Sequence, residues 1–333
     1  MAATAKHAKN KNITTMETYI GVVLGGTKLL VGEIDGAGNI LNMKRYVSSF
    51  FNQDSATEMI RSSLDDYNAN VEHKGRPVAM GIGLIGRVDN IKGIWQQIDP
   101  ERTQPVAVAK IMSEAYGLPC FIDNDVKGST RAVLKWGMGQ TSQNLIYIHI
   151  GTGIAATIVA DGRIIRGSHF NAGEAGHLRV GVQVGVKCPC GRIDCVEAIA
   201  SSVGLDRCAR YLRSYYDTRL GIPSDKERVS PDEVFRLSRD GDPLCAKLVA
   251  NASEALANLI MNLVRVSDPD TVILGGDMVA DGFLLEKIHE KLMPVTMRFV
   301  TNGVAVTKLN PKLISLLGAG AVAIDGMEQK GYE

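Results

Sequence analysis

The 333-residue chain carries 37 Lys plus Arg against 36 Asp plus Glu, a formal charge of +1. That balance gives no electrostatic case for nucleic acid, a membrane surface or a polyanionic substrate. With 45% hydrophobic and 22% charged residues the chain can bury a large core, and its length predicts two domains.

Residues 1–17 read as a disordered leader: they have no apolar signal core, and Lys6, Lys9 and Lys11 make them polar and basic. No apolar stretch of membrane-spanning length runs without glycine or polar interruption, so no membrane partner is expected. The six cysteines fit a reducing compartment, which points to the cytoplasm.

The first predicted strand is Tyr19–Leu24, followed by the tight turn Gly25-Gly26-Thr27-Lys28 and a second strand, Leu29–Ile34. Asp35-Gly36 and Gly38-Asn39 punctuate a hairpin. A glycine turn of this kind lets backbone amides approach a phosphate, although ordinary hairpins use it too. Ala56–Val71 has helical spacing of Met59, Ile60, Leu64 and Tyr67. Val78–Leu84 reads as a buried strand and Pro105–Tyr116 as a helix. Pro119–Ile122 is a strand ending in Asp123-Asn124-Asp125. A carboxylate at a strand end beside a cleft is where open α/β folds place chemistry. The alternative is that Asp125 caps the helix running to Leu134.

Gly151-Thr152-Gly153 follows the apolar run Leu145–Ile150 and forms a second glycine turn. Further on stand Glu174-Ala175-Gly176-His177 and Cys188-Pro189-Cys190-Gly191-Arg192-Ile193-Asp194-Cys195-Val196-Glu197. Three cysteines within eight residues and a nearby histidine suit a tetrahedral structural zinc held by His177, Cys188, Cys190 and Cys195. Buried thiols or a disulfide are the alternatives. Beyond Ala200 the chain is mostly helical, with its longest run at Pro243–Val266, stopped by Asp268-Pro269-Asp270. A strand, Thr271–Leu274, meets Gly275-Gly276-Asp277, and Pro311–Ile324 is a final helix whose Gly318, Ala319 and Gly320 allow close packing.

The motif Glu174-x-Gly176-His177 followed by Cys188-x-Cys190-Gly191-x-x-Asp194-Cys195-x-Glu197 resembles the hallmark of the ROK family (repressors, open reading frames and sugar kinases). The resemblance runs from about Tyr19 to Ile324. It implies an α/β, two-domain, actin-like (ribonuclease H-like) sugar-kinase fold with an interdomain cleft and a zinc-stapled loop. The small domain would be 18–124 plus the C-terminal helix at about 312–326, and the large domain 125–311. It also implies ATP-dependent phosphorylation of a hexose or related sugar, with Asp125 as general base. Asn124, Glu174, His177 and Glu197 would hold the sugar. Gly25, Gly26, Thr27, Lys28, Gly151, Thr152, Gly153, Gly275 and Gly276 would serve ATP and Mg2+. Family members commonly form dimers or tetramers.

Five departures stand out. Val23 occupies the place of the family's first phosphate-loop aspartate, and Ala155-Ala156 replace further glycines of the second loop. Ile85 replaces a proline, and the Asn of a Pro-Asn-Leu motif has no counterpart, leaving Gln96, Gln97 or Asp99 to fill its space. Asp194 stands where the family usually has glycine. The rival expectation is therefore a sugar-binding sensor with weak or no kinase activity. A repressor is disfavoured, because only about eighteen residues precede the first strand and the family's winged helix-turn-helix needs some tens.

Overall fold

The computed structural model describes residues 16–26, 28–224 and 227–330. Most of the predicted leader, and Thr27, lie outside them.

β1 (Glu17–Leu24), β2 (Lys28–Asp35) and β3 (Ile40–Val47) form an antiparallel meander. Helix α1 (Gln53–Asn70) crosses to β4 (Arg76–Leu84), which lies parallel to β1. A small hairpin of β5 (Arg87–Asp89) and β6 (Ile94–Gln97) and helix α2 (Val108–Tyr116) precede β7 (Cys120–Asn124), parallel to β4. The resulting sheet has the order β3-β2-β1-β4-β7.

Helix α3 (Asp125–Trp136) leaves this sheet for β8 (Leu145–Ile150), β9 (Ile154–Ala160) and β10 (Arg163–Ile164). Helices α4 (Val196–Ala200), α5 (Ser202–Leu212), α6 (Pro231–Arg239) and α7 (Pro243–Ser267) follow. Then come β11 (Thr271–Gly275), α8 (Phe283–His289), α9 (Pro294–Met297), β12 (Val304–Val306) and α10 (Ile314–Lys330). The second sheet has the order β10-β9-β8-β11-β12. Numbered within each sheet, both read 3-2-1-4-5, with an antiparallel meander and then parallel additions. The architecture is therefore one α/β plan used twice, as in actin-like ATPase folds.

Each sheet is covered on its outer side by its own core. The first packs Ile60, Leu64 and Tyr67 of α1 and Met112 of α2 against β1, β2 and β4. The second packs α4 to α8 against β8, β9 and β11. Between the sheets lie α3 and α10. Leu316 and Leu317 of α10 meet Val23, Leu30 and Ile34, while Val126 and Val133 of α3 meet Leu145, Tyr147 and Ile273.

The close approach expected of α10 is present. A Cβ at Gly81 would lie 1.9 Å from Ala319 O, and one at Gly318 would lie 2.4 Å from the carbonyl carbon of Gly128. Only hydrogen fits at those positions.

Element boundaries moved for identifiable reasons. α1 starts earlier than predicted because Asn52 and Ser55 form a reciprocal capping box. The helix expected from Pro105 begins at Val108, because Val106 and Trp95 exchange backbone hydrogen bonds of 2.8 and 3.0 Å. α10 begins at Ile314 and reaches Lys330. α7 is long and apolar enough to cross a membrane by length and composition, but 67% of its most apolar stretch is buried in the protein.

Candidate active site

β7 hands over to α3 in the middle of the molecule, and the junction is built by Asn124 rather than Asp125. The Asn124 Oδ1 accepts the N–H groups of Val126 and Lys127 at 3.1 and 3.2 Å, and its Nδ2 donates to Gly86 O at 3.0 Å. Asn124 is thus the N-cap, and one amide N–H remains for a ligand. Asp125 becomes the first helical residue, with Oδ1 accepting the Val126 N–H at 3.0 Å. Burial pushes its carboxyl up to about 7, and the Glu174 charge adds to the rise. The Val126 N–H and the Lys127 ammonium oppose it.

Two buried neighbours were not legible as site residues. The Lys127 side chain donates to Ala172 O at 2.9 Å, tying α3 to the loop that leads to Glu174. Asp123 is gripped by Arg166 through two bonds of 2.8 and 2.6 Å and by Arg131 Nε at 3.1 Å. Those guanidiniums hold the Asp123 carboxyl below its ordinary range against the effect of burial. The Lys127–Ala172 and Asp123–Arg166 contacts span 45 and 43 residues of chain, so no local pattern announces them.

Glu174 precedes and His177 ends a short 3-10 turn, with His177 Nε2 3.9 Å from Glu174 Oε2. The other ring nitrogen, Nδ1, lies 3.4 Å from Cys188 Sγ, and Cys190 and Cys195 have their sulfurs 3.6 Å apart. The four ligand atoms of His177, Cys188, Cys190 and Cys195 all fall within 4.8 Å of one another. A tetrahedral zinc with bonds of about 2.3 Å separates its ligand atoms by roughly 3.7 Å. The donor set therefore fits zinc in number, softness and spacing. Asp194 holds the loop shape: it adopts φ 58°, and its Oδ1 accepts the Gly185 and Val186 N–H groups at 2.8 and 3.0 Å.

Glu197 reaches the second glycine turn. Its Oε2 accepts the Ile154 N–H at 2.9 Å, and a Cβ at Gly153 would lie 2.6 Å from that oxygen. Gly153 thus makes room for Glu197. The Gly151 amide is bonded within the turn to Gly153 O at 3.0 Å, whereas Thr152 N–H and Gly153 N–H have no internal partner among the described residues. Gly276 takes φ 99° against the Ile150 backbone, and Gly275 makes space for the Tyr147 ring.

In the first turn Gly25 N–H bonds Lys28 O, while a Cβ at Gly26 would meet nothing within 4 Å. Lys28 reaches across to Asp277 at 3.2 Å, joining the first turn of one sheet to the β11 end of the other. Beside them His149 is held to about 4 by burial, so it is neutral near pH 7. Tyr147 Oη lies 3.3 Å from its Nδ1.

Val23 is 6% exposed and belongs to the apolar seam against α10. Of the three residues expected to fill the place of the absent Asn, Asp99 is engaged by Arg102 through two bonds of 2.8 and 2.5 Å.

The glucokinase of Halalkalibacterium halodurans is 27% identical over 86% of this chain and 88% of its own. The xylose repressor of Caldicellulosiruptor bescii is 27% identical over 75% of this chain, which spans 63% of the repressor. The crystal structure of a ROK hexokinase from Thermus thermophilus superposes with a TM-score of 0.70 at 27% identity, covering 94% of this chain and 99% of that one. The ROK family profile matches residues 19–325. The chain belongs to the ROK family.

Proposed function

We propose that the protein is a sugar kinase that phosphorylates a hexose or related sugar from ATP, with Asp125 as general base. The observation that carries this reading is the half-buried Asp125 carboxyl at the β7–α3 junction, raised to about 7, a value suited to accepting a hydroxyl proton at neutral pH. The glucokinase and ROK hexokinase relatives support the reaction class.

In this proposal Glu174, His177 and Glu197 accept or exchange hydrogen bonds with sugar hydroxyls, and Asn124 offers its remaining N–H. Asp125 Oδ takes the proton of the attacking hydroxyl. The Thr152 and Gly153 amides and the Lys28 ammonium fit the phosphates of a nucleotide, with Gly25, Gly26, Gly275 and Gly276 keeping the backbone close. Asp277 is the carboxylate at hand for Mg2+, since Val23 offers no ligand. When bound, MgATP supplies the phosphoryl group and offsets its charge. Zinc at His177, Cys188, Cys190 and Cys195 is structural in this reading: it fixes the segment between Glu174 and Glu197. We place the domain division as the sequence does, at the β7–α3 junction, with α10 returning to the first unit.

A second reading, a sugar-binding sensor with little turnover, is favoured by Val23 lying in the apolar seam and by the repressor relative. An ADP-release assay over hexoses and N-acetylhexosamines, run beside calorimetry of sugar binding, separates the two. The kinase reading expects magnesium-dependent ADP release that Asp125→Asn reduces by about 10²-fold or more. Binding without any ADP release supports the sensor.

A further inference from the structure

We propose that a second cavity, between α3, α10 and the β9–β10 turn, binds a small phosphate-bearing anion. The cavity measures about 430 Å³, within the range of small-molecule sites. None of the cleft residues named above as holding sugar or nucleotide lines it. Its wall presents Arg131, Lys135, Arg163 and Arg166 against a single lining carboxylate, Asp325.

An ion-pair network accounts for three of these cations. Arg131 is shared between Asp123 and Asp325 at 3.1 and 2.6 Å, Arg166 is bidentate on Asp123, and Lys135 pairs with Asp325 and Glu328 at 3.0 and 3.1 Å. Those contacts fix the guanidiniums in place without using them up. A guanidinium has five N–H donors, and Arg131 and Arg166 each spend two in these bonds.

Arg163 is not explained by the network. It lines the cavity, is exposed, and has no side-chain hydrogen bond or ion pair among the described residues. Preoriented guanidiniums plus an uncommitted one match the several oxygens and double charge of a phosphate group better than a single carboxylate. Leu134 and Ile164 add apolar wall beside the charges, room for the carbon part of a phosphate ester.

The test is titration calorimetry on the full chain at low ionic strength, where surface charges are least screened. The probes are inorganic phosphate, a glucose phosphate and glucose. We expect phosphate, glucose phosphate or both to bind, and Arg163→Glu to weaken that binding about tenfold or more, roughly 1.4 kcal/mol. Arg163→Lys should retain most of it, and glucose affinity should not change in either variant. Equal affinity for the two phosphates assigns the site to the phosphate group itself, and tighter glucose phosphate assigns it to a phosphate ester. The proposal is overturned if neither phosphate binds at about 10 mM, a concentration about tenfold above a Kd of about 1 mM. It is equally overturned if binding survives Arg163→Glu but is lost in Lys28→Ala, which places the anion in the cleft.

Discussion

Asp125 has a consequence that can be read without any substrate. A carboxyl held near 7 in the folded chain, against 3.8 ordinarily, binds its proton more tightly when folded. Its contribution to stability is complete below about pH 4 and is lost as the pH rises to about 7, where burial of the charge has to be borne. Asp125→Asn should therefore raise the Tm relative to wild type at pH 8, with the gain shrinking toward pH 4. A Tm difference independent of pH would show that Asp125 titrates normally. In the proposed reaction the same ionisation makes kcat/KM climb through about pH 7 to a plateau.

Position alone left Asp125 open between a cap and a base, because a strand end before a helix selects short polar side chains for both, and the roles expected of Asn124 and Asp125 came from the family resemblance. The cap is Asn124, the residue before the Asp125 that the sequence suggested. Lys127, His149 and the Asp123–Arg166 pair were not legible, since their meaning comes from partners brought in by the tertiary fold. The Asp123 pair also yields a prediction. Arg166→Met leaves a buried carboxylate with Arg131 alone, and should cost about 3 kcal/mol in denaturant unfolding. A loss below about 0.5 kcal/mol, typical of an exposed pair, would contradict the described burial.

Among the elements, the Glu174–Glu197 segment was the most fully specified by sequence, because metal-ligand spacing is a chemical constraint rather than a propensity. The structure adds how Asp194 replaces glycine: a left-handed residue whose carboxylate closes the loop on two amides. Asp194→Ala keeps the strained φ and loses both bonds, so it should destabilise by about 2 kcal/mol. For the metal, elemental analysis of tag-free protein should give one zinc per chain, and Cys195→Ser should abolish it and lower the Tm. Absence of zinc together with freely titrating thiols would overturn the metal assignment. Helix starts were less legible than helix existence. The Pro105–Ala107 segment carries a helical pattern, yet Val106 pairs with Trp95 across the chain, a contact that no local signal encodes.

For the whole molecule, the twofold use of one sheet order was invisible in the sequence, because strand order is a property of pairing and the two halves share no visible repeat. The glycines at the α3–α10 crossing were visible, and the structure shows why they are small. Gly318→Val would force the backbones of α3 and α10 apart, and should lower the Tm while leaving zinc content unchanged. Val23→Asp tests the site and the packing together. The valine lies in the apolar seam, so a charge there should reduce stability, while in the proposed kinase the carboxylate would add a magnesium ligand at the end of β1. The expected outcome is a lower Tm that magnesium with nucleotide partly restores, and a higher turnover number.

Lys28 and Asp277 join the two sheets across the cleft of the proposed site through an exposed pair, worth no more than about 1 kcal/mol. The central claim is that this cleft moves a phosphoryl group to a sugar hydroxyl with Asp125 taking the proton. Phosphorus NMR of the chain mixed with MgATP and a sugar that it binds by calorimetry follows that transfer directly. The account predicts a growing sugar-phosphate resonance in wild type, slowed about 10²-fold or more in Asp125→Asn. A bound sugar that gains no phosphate over the lifetime of the ATP, or gains it equally fast in Asp125→Asn, would contradict it.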